Sequence, residues 1–157
     1  MRLDYFQLID RIVELDLAGQ TIRTEATVPT ESTIFEGHFP GYPIMPGVLL
    51  IESMAQTSGW LIIGVTRFAR MPFFAAVKEA KLRNFVPPGQ QLQLSATLVH
   101  EGSGYAMTKA EARADGKPVC SAQLTFRLMP FPSPDFRTHM DTMAARLQFP
   151  MEALARA

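Results

Sequence analysis

A single domain of ordinary size accounts for all 157 residues: at this length about two-thirds of the unfolded surface is buried without disulfides or metals, and a second catalytic domain is excluded. Fifteen basic and fifteen acidic side chains cancel, which excludes a global field able to recruit nucleic acid or an anionic membrane. The lone Cys120 excludes an intramolecular bridge, and Met1-Arg2-Leu3-Asp4-Tyr5 lacks the basic and apolar regions of a secretory signal, so a reducing, cytoplasmic setting is expected.

From Asp4 to Asp16 a short helical or irregular start runs into the apolar Leu8–Val13, and Gly19-Gln20 turns the chain into Thr21–Val28, predicting a first hairpin. Gly37, Pro40, Gly41 and Pro43 then follow in close succession and shape a loop that feeds the next element at Pro46-Gly47. Val48 to about Phe68 is too long an apolar run for a strand, and Pro46 suits a first helical turn. Nearly apolar all round, this helix must be enclosed. It is almost long enough to span a membrane, but Glu52 and Gln56 sit one turn apart within it, and its neighbours are patterned like the strands of a water-soluble protein.

Beyond the helix, a strand is expected near Phe73–Leu82, closed off by Pro87-Pro88-Gly89. Leu92, Leu94, Ala96 and Leu98 alternate with polar residues, as do Leu124, Phe126 and Leu128; Glu101-Gly102-Ser103-Gly104 and Asp115-Gly116 supply hairpin turns. After Leu128 the prolines at 130, 132 and 134 mark a linker, and Ser133-Pro134 caps a tail helix carrying Phe136, Met140, Met143 and Leu147 on one face. The order predicts an α+β fold in which a curled antiparallel sheet covers one long central helix, with no second helix in the body. Residues 1–129 form that body, and residues 130–157 the linker and tail helix.

The candidate chemistry lies between Glu36 and Gln56. His38 is on the glycine- and proline-rich loop, and Glu52 is two turns into the helix with Gln56 on the same face to hold it. Desolvation raises the pKa of a carboxyl group on an apolar helix and makes it a proton donor near neutral pH, while an imidazole serves as base. The backbone N–H of Gly47, at the positive end of the helix, favours developing negative charge. Base, acid and oxyanion donor are what eliminating water from a 3-hydroxyacyl thioester requires, with no metal or organic cofactor. Taken alone, a loop histidine and a buried glutamate are more often a structural hydrogen-bonded pair than a catalytic one.

The same segment, His38-Phe39-Pro40-Gly41 leading through Pro46-Gly47-Val48-Leu49 to Glu52, resembles the signature of the FabZ-type 3-hydroxyacyl-[acyl-carrier-protein] dehydratases. Ala80–Gly89 resembles that family's strand-to-turn passage and Gly116–Ala122 its last hairpin, so the likeness covers roughly residues 5–129. It implies a hotdog fold and a substrate carried by acyl carrier protein in fatty acid biosynthesis. It also implies a homodimer, extending to a trimer of dimers or hexamer, in which His38 of one protomer meets Glu52 of the other. It further implies that the Gly47 amide binds the thioester oxygen, that the Ile44 carbonyl steadies the histidine and that Gln56 partners the glutamate; Lys81 and Arg83 become candidates for docking the carrier. The chain departs from the pattern at Asp4-Tyr5-Phe6-Gln7-Leu8 and at Gln90, positions expected to lie away from the chemistry. With the long tail, these departures resemble the dehydratases that serve very-long-chain fatty acids of lipid A.

His100 and His139 read as solvated bystanders, Cys120 as a small core residue, and Met54, Trp60, Phe68, Phe73 and Phe74 as core filling rather than the lining of an acyl tunnel. Arg67, Arg70 and Lys78 read as solvent-facing. The rival functions are an acyl-thioester hydrolase on the same fold, a dehydratase that also isomerises the double bond, and a noncatalytic acyl-binding subunit.

Overall fold

The computed structural model describes residues 1–156. A short 3-10 turn at Leu3–Tyr5 leads into the hairpin of β1 (Arg11–Asp16) and β2 (Thr21–Thr27). The loop that follows is more ordered than expected. It holds a five-residue helix, α1 (Thr33–Gly37), whose N-terminus is capped by the Ser32 hydroxyl accepting from the Ile34 N–H at 3.2 Å, so the body does contain a second, short helix.

The long helix α2 runs from Gly47 to Val65, about 28 Å at 1.5 Å per residue, with Pro46 as its N-cap. It ends three residues before the expected Phe68. Arg67 and Phe68 both adopt left-handed backbone, and the Phe68 N–H returns to the Ile63 carbonyl at 2.9 Å. The Phe68 ring that follows this turn is buried in the core. The polar residues that interrupt the apolar run are satisfied internally: Thr57 pairs with Thr24 of β2 and Ser58 with Thr108 on the far side of the core, each hydroxyl pair at 2.8 Å. By length and composition α2 could cross a membrane, but 61 % of its most apolar stretch is buried inside the protein.

Six strands wrap this helix. After β3 (Met71–Leu82) come β4 (Gln91–Gly102), β5 (Tyr105–Ala114) and β6 (Lys117–Met129), and the sheet order is β1-β2-β4-β5-β6-β3, antiparallel throughout. The alternation read from β4 and β6 turns Leu92, Leu94, Ala96, Leu124 and Phe126 inward. β3 behaves differently. It pairs with β6 along one edge, and every residue from Phe73 to Leu82 is exposed, including Phe73, Phe74, Val77 and Leu82. A long edge left open, with apolar side chains at Phe73, Phe74, Val77 and Leu82, is a template for another strand.

The tail packs onto the body. Helix α3 (Pro134–Arg146) is capped by Ser133, whose hydroxyl accepts from the Phe136 N–H at 3.1 Å. Ala144 and Leu147 are fully buried, and Phe149 packs between Trp60 and Phe68 with ring centroids 5.9 and 5.2 Å away. Arg137 donates to the Phe68 carbonyl at 2.9 Å. A short α4 (Glu152–Arg156) follows, which the sequence pattern did not announce.

Candidate active site

The loop between α1 and α2 is built from its own backbone. The His38 N–H donates to the Ile34 carbonyl and the Ile44 N–H returns to the His38 carbonyl, both at 3.0 Å, while Phe39 and Tyr42 exchange two further bonds. Met45 is tied to Val86 at 2.7 Å, which anchors the loop to the passage after β3. In this frame the imidazole stacks on Phe39 with centroids 4.1 Å apart, and Nδ1 lies 3.0 Å from the Ile44 carbonyl oxygen. A carbonyl only accepts, so Nδ1 carries the proton and Nε2 presents a free lone pair.

Gly47 heads α2 beneath this imidazole loop. The first amides of a helix have no intrahelical acceptor, and among the described residues none meets the Gly47 N–H. A Cβ there would fall 2.4 Å from Leu82 Cδ1, so any side chain requires Leu82 to move aside. His38, Ile44 and Gly47 line one cavity of about 620 Å³, together with Arg83 and Phe85.

Glu52 is elsewhere. It is half-buried in a second groove of about 420 Å³, where it sits with Gln56, Trp60 and Phe74. Desolvation by burial raises its pKa above the ordinary carboxylate value, and the hydrogen bond from Gln56 Nε2 at 3.3 Å partly opposes the rise. Gln56 is itself clamped. Its Nε2 donates to the Phe6 carbonyl and its Oε1 accepts from the Leu8 N–H, both at 2.9 Å. The amino-terminal departures expected to be remote from the chemistry therefore belong to the segment that fixes the partner of Glu52. No side-chain signal could have disclosed this, because both contacts come from backbone groups that any residue supplies.

Other expectations also need correcting. Phe73 and Phe74, read as core filling, are exposed and line the Glu52 groove, Trp60 is core as expected while also bordering that groove, and exposed His139 of α3 stands at its rim. Phe68 and Met54 are fully enclosed as core, and Cys120 is buried, its thiol pushed up to about 11 by desolvation. Arg83 lies beside His38, whereas Lys81 opens onto a separate groove on the outer face of the sheet among Glu79 and Glu111.

A curled antiparallel sheet around one long helix defines the hotdog class, and the solved structures agree. A hypothetical thioesterase from Streptococcus pneumoniae, solved with coenzyme A, superimposes with a TM-score of 0.61 at 15 % identity, covering 76 % of this chain and 85 % of its own. A conserved protein from Pseudomonas aeruginosa does so at 0.61 and 22 % identity, over 76 % and 87 %. At these identities the likeness is one of fold. The sequence comparisons are more specific: residues 2–123 match the FabA-like domain, and 3-hydroxyacyl-[acyl-carrier-protein] dehydratases FabZ from Ligilactobacillus salivarius and Oenococcus oeni are 39 % and 38 % identical. Those alignments cover 77 % and 76 % of this chain and 86 % of each relative. The chain belongs to the FabA-like family, within its FabZ-type dehydratases.

Proposed function

We propose that this chain removes water from (3R)-3-hydroxyacyl thioesters carried on acyl carrier protein, giving trans-2-enoyl thioesters in cytoplasmic fatty acid biosynthesis. His38 Nε2 takes a proton from C2, the C2–H electron pair forms the C2=C3 bond, and the C3–O bond breaks as Glu52 delivers its proton to the leaving hydroxyl. The Gly47 N–H holds the thioester oxygen as charge develops on it. Ile44 keeps the imidazole in the tautomer a base requires, and Gln56 orients the carboxyl group. Proton exchange with solvent resets both groups. All of these residues fall within 1–129, which we take as the catalytic body, with 130–157 as an accessory.

The observation that carries the reading is the division of labour within one protomer. Base and oxyanion donor line one cavity, the protonatable acid lines another, and the free edge of β3 is exposed from Phe73 to Leu82. This supports a homodimer joined through β3, in which His38 of one protomer completes the Glu52 groove of its partner. Arg83, beside the His38 cavity, is the better placed of the two basic residues to meet the acidic carrier. The unusual amino end and the long tail support the lipid A subtype.

The test is hydration of a trans-2-enoyl thioester, followed as loss of its conjugated absorbance, for native protein and folded His38→Ala and Glu52→Gln variants. Turnover by native protein alone, without release of free thiol, is expected. Thiol release would point to a hydrolase. No turnover on short or long carrier-bound substrates would leave an acyl-binding subunit.

A further inference from the structure

We infer that the tail helix α3 is part of the substrate site, with Met140 and Met143 walling the groove that begins at Glu52 and thereby setting the acyl chain length the enzyme favours. The inference rests on the reading of Glu52 as the acid acting at C3.

An acid at Glu52 places C3 at the start of a stripe on α2. Gln56, Gly59, Trp60 and Ile63 continue it along the same groove, which advances about 16 Å from Glu52 to Ile63 at 1.5 Å per residue. Everything beyond C3 of the substrate is hydrocarbon, and from Gln56 onward this groove is predominantly apolar. Gly59 keeps the floor open, since a Cβ there would meet only Pro72, at 3.8 Å. Residues of β3, among them Met71 and Phe73, form one side. The other comes from α3, which contributes Met140 and Met143 with His139 at the rim.

That wall is seated independently of any ligand. The Ile12 N–H donates to the Leu147 carbonyl at 2.9 Å, and Arg137 holds the Phe68 carbonyl from the helix's other end. Gln7 ties the wall to the acid: its side-chain Nε2 contacts Met143 Sδ at 3.5 Å and its side-chain Oε1 accepts from Arg146, while its neighbours Phe6 and Leu8 hold Gln56. The tail also lies outside the residues matched by the family model, which end at 123, so this side of the groove is supplied by sequence beyond the shared domain. Methionine suits such a position, because its unbranched, polarisable side chain repacks around flexible hydrocarbon.

The test compares kcat/KM for trans-2-butenoyl and trans-2-hexadecenoyl thioesters on the full-length protein. Met140→Trp and Met143→Trp narrow the groove and are expected to lower the long-to-short ratio at least about tenfold, given what a single methylene is worth in an apolar pocket. Ala145→Trp adds the same bulk to the exposed side of α3 and should leave the ratio where it was. Should a tryptophan variant fail to fold, Met140→Ala decides instead, since widening the groove moves the ratio the opposite way. An unmoved ratio in folded groove variants of an active enzyme overturns this inference alone. A native enzyme inactive on both thioesters overturns the dehydratase reading and the inference with it.

Discussion

Replacing Gln56 with leucine separates the architecture around the acid from the acid itself. The substitution removes three hydrogen bonds: to the Phe6 carbonyl, from the Leu8 N–H and to Glu52. Phe6 is more than half exposed, and water replaces its bond at little cost; Leu8 is fully buried, and its amide is left without a partner. With about 1–3 kcal/mol for the stranded amide and less for the others, the loss comes to about 2–3 kcal/mol. At 2–4 °C per kcal/mol in a protein of this size, Tm falls by roughly 5–10 °C. The kinetic consequence has a fixed sign. Gln56 lowers the pKa of Glu52 against the desolvation that raises it, so removing the amide pushes that pKa further up. The limb of the pH–rate profile that reports on protonated Glu52 then moves to more alkaline pH, whatever happens to the maximal rate. Thermal melting and a pH series of enoyl hydration measure the two effects. A Tm within about 1 °C of native, with an unmoved limb, would refute the clamp as the device that holds the acid.

If the site is shared, His38→Ala and Glu52→Gln proteins, each inactive alone by a factor of about 10²–10⁴, should recover activity when unfolded together and refolded. Random pairing makes half the dimers mixed with one intact site each, so about a quarter of native activity returns; no recovery argues for a site within one protomer. The raised pKa of Glu52 means the folded protein holds that proton more tightly than the unfolded chain, so its stabilising contribution is complete below the ordinary carboxylate range and is lost as pH rises through the raised value. Glu52→Gln should therefore show a flatter stability-versus-pH curve between acidic and neutral pH, and denaturant titrations with parallel curves would contradict this. Gly47→Ala forces the new methyl against Leu82, an exposed side chain free to move, so stability should change by less than about 1 kcal/mol while kcat falls as the amide shifts. Pairing it with Leu82→Ala should restore part of the rate, and failure of that rescue would place the defect elsewhere.

Local pattern and local chemistry carried much of this molecule. Period-two alternation marked β4 and β6, Pro46 and the long, mostly apolar run marked α2, and Ser133-Pro134 marked the start of α3, because each is decided by neighbours within a few residues. The loop from His38 to Gly47 was legible for the same reason, being closed by its own backbone and anchored at a single point. The end of α2 was not legible, since it is a left-handed turn at Arg67 and Phe68 whose ring packs on Phe149, a residue of the distant tail. Tertiary structure alone decided that Phe6 and Leu8 clamp Gln56 and that Met140 and Met143 line the same groove as Glu52, about ninety positions away in sequence. It alone also set His38 and Glu52, fourteen positions apart, in separate cavities. Spacing along a chain reports which face of an element a residue shares; which elements that face then meets is settled by how the sheet closes around the helix.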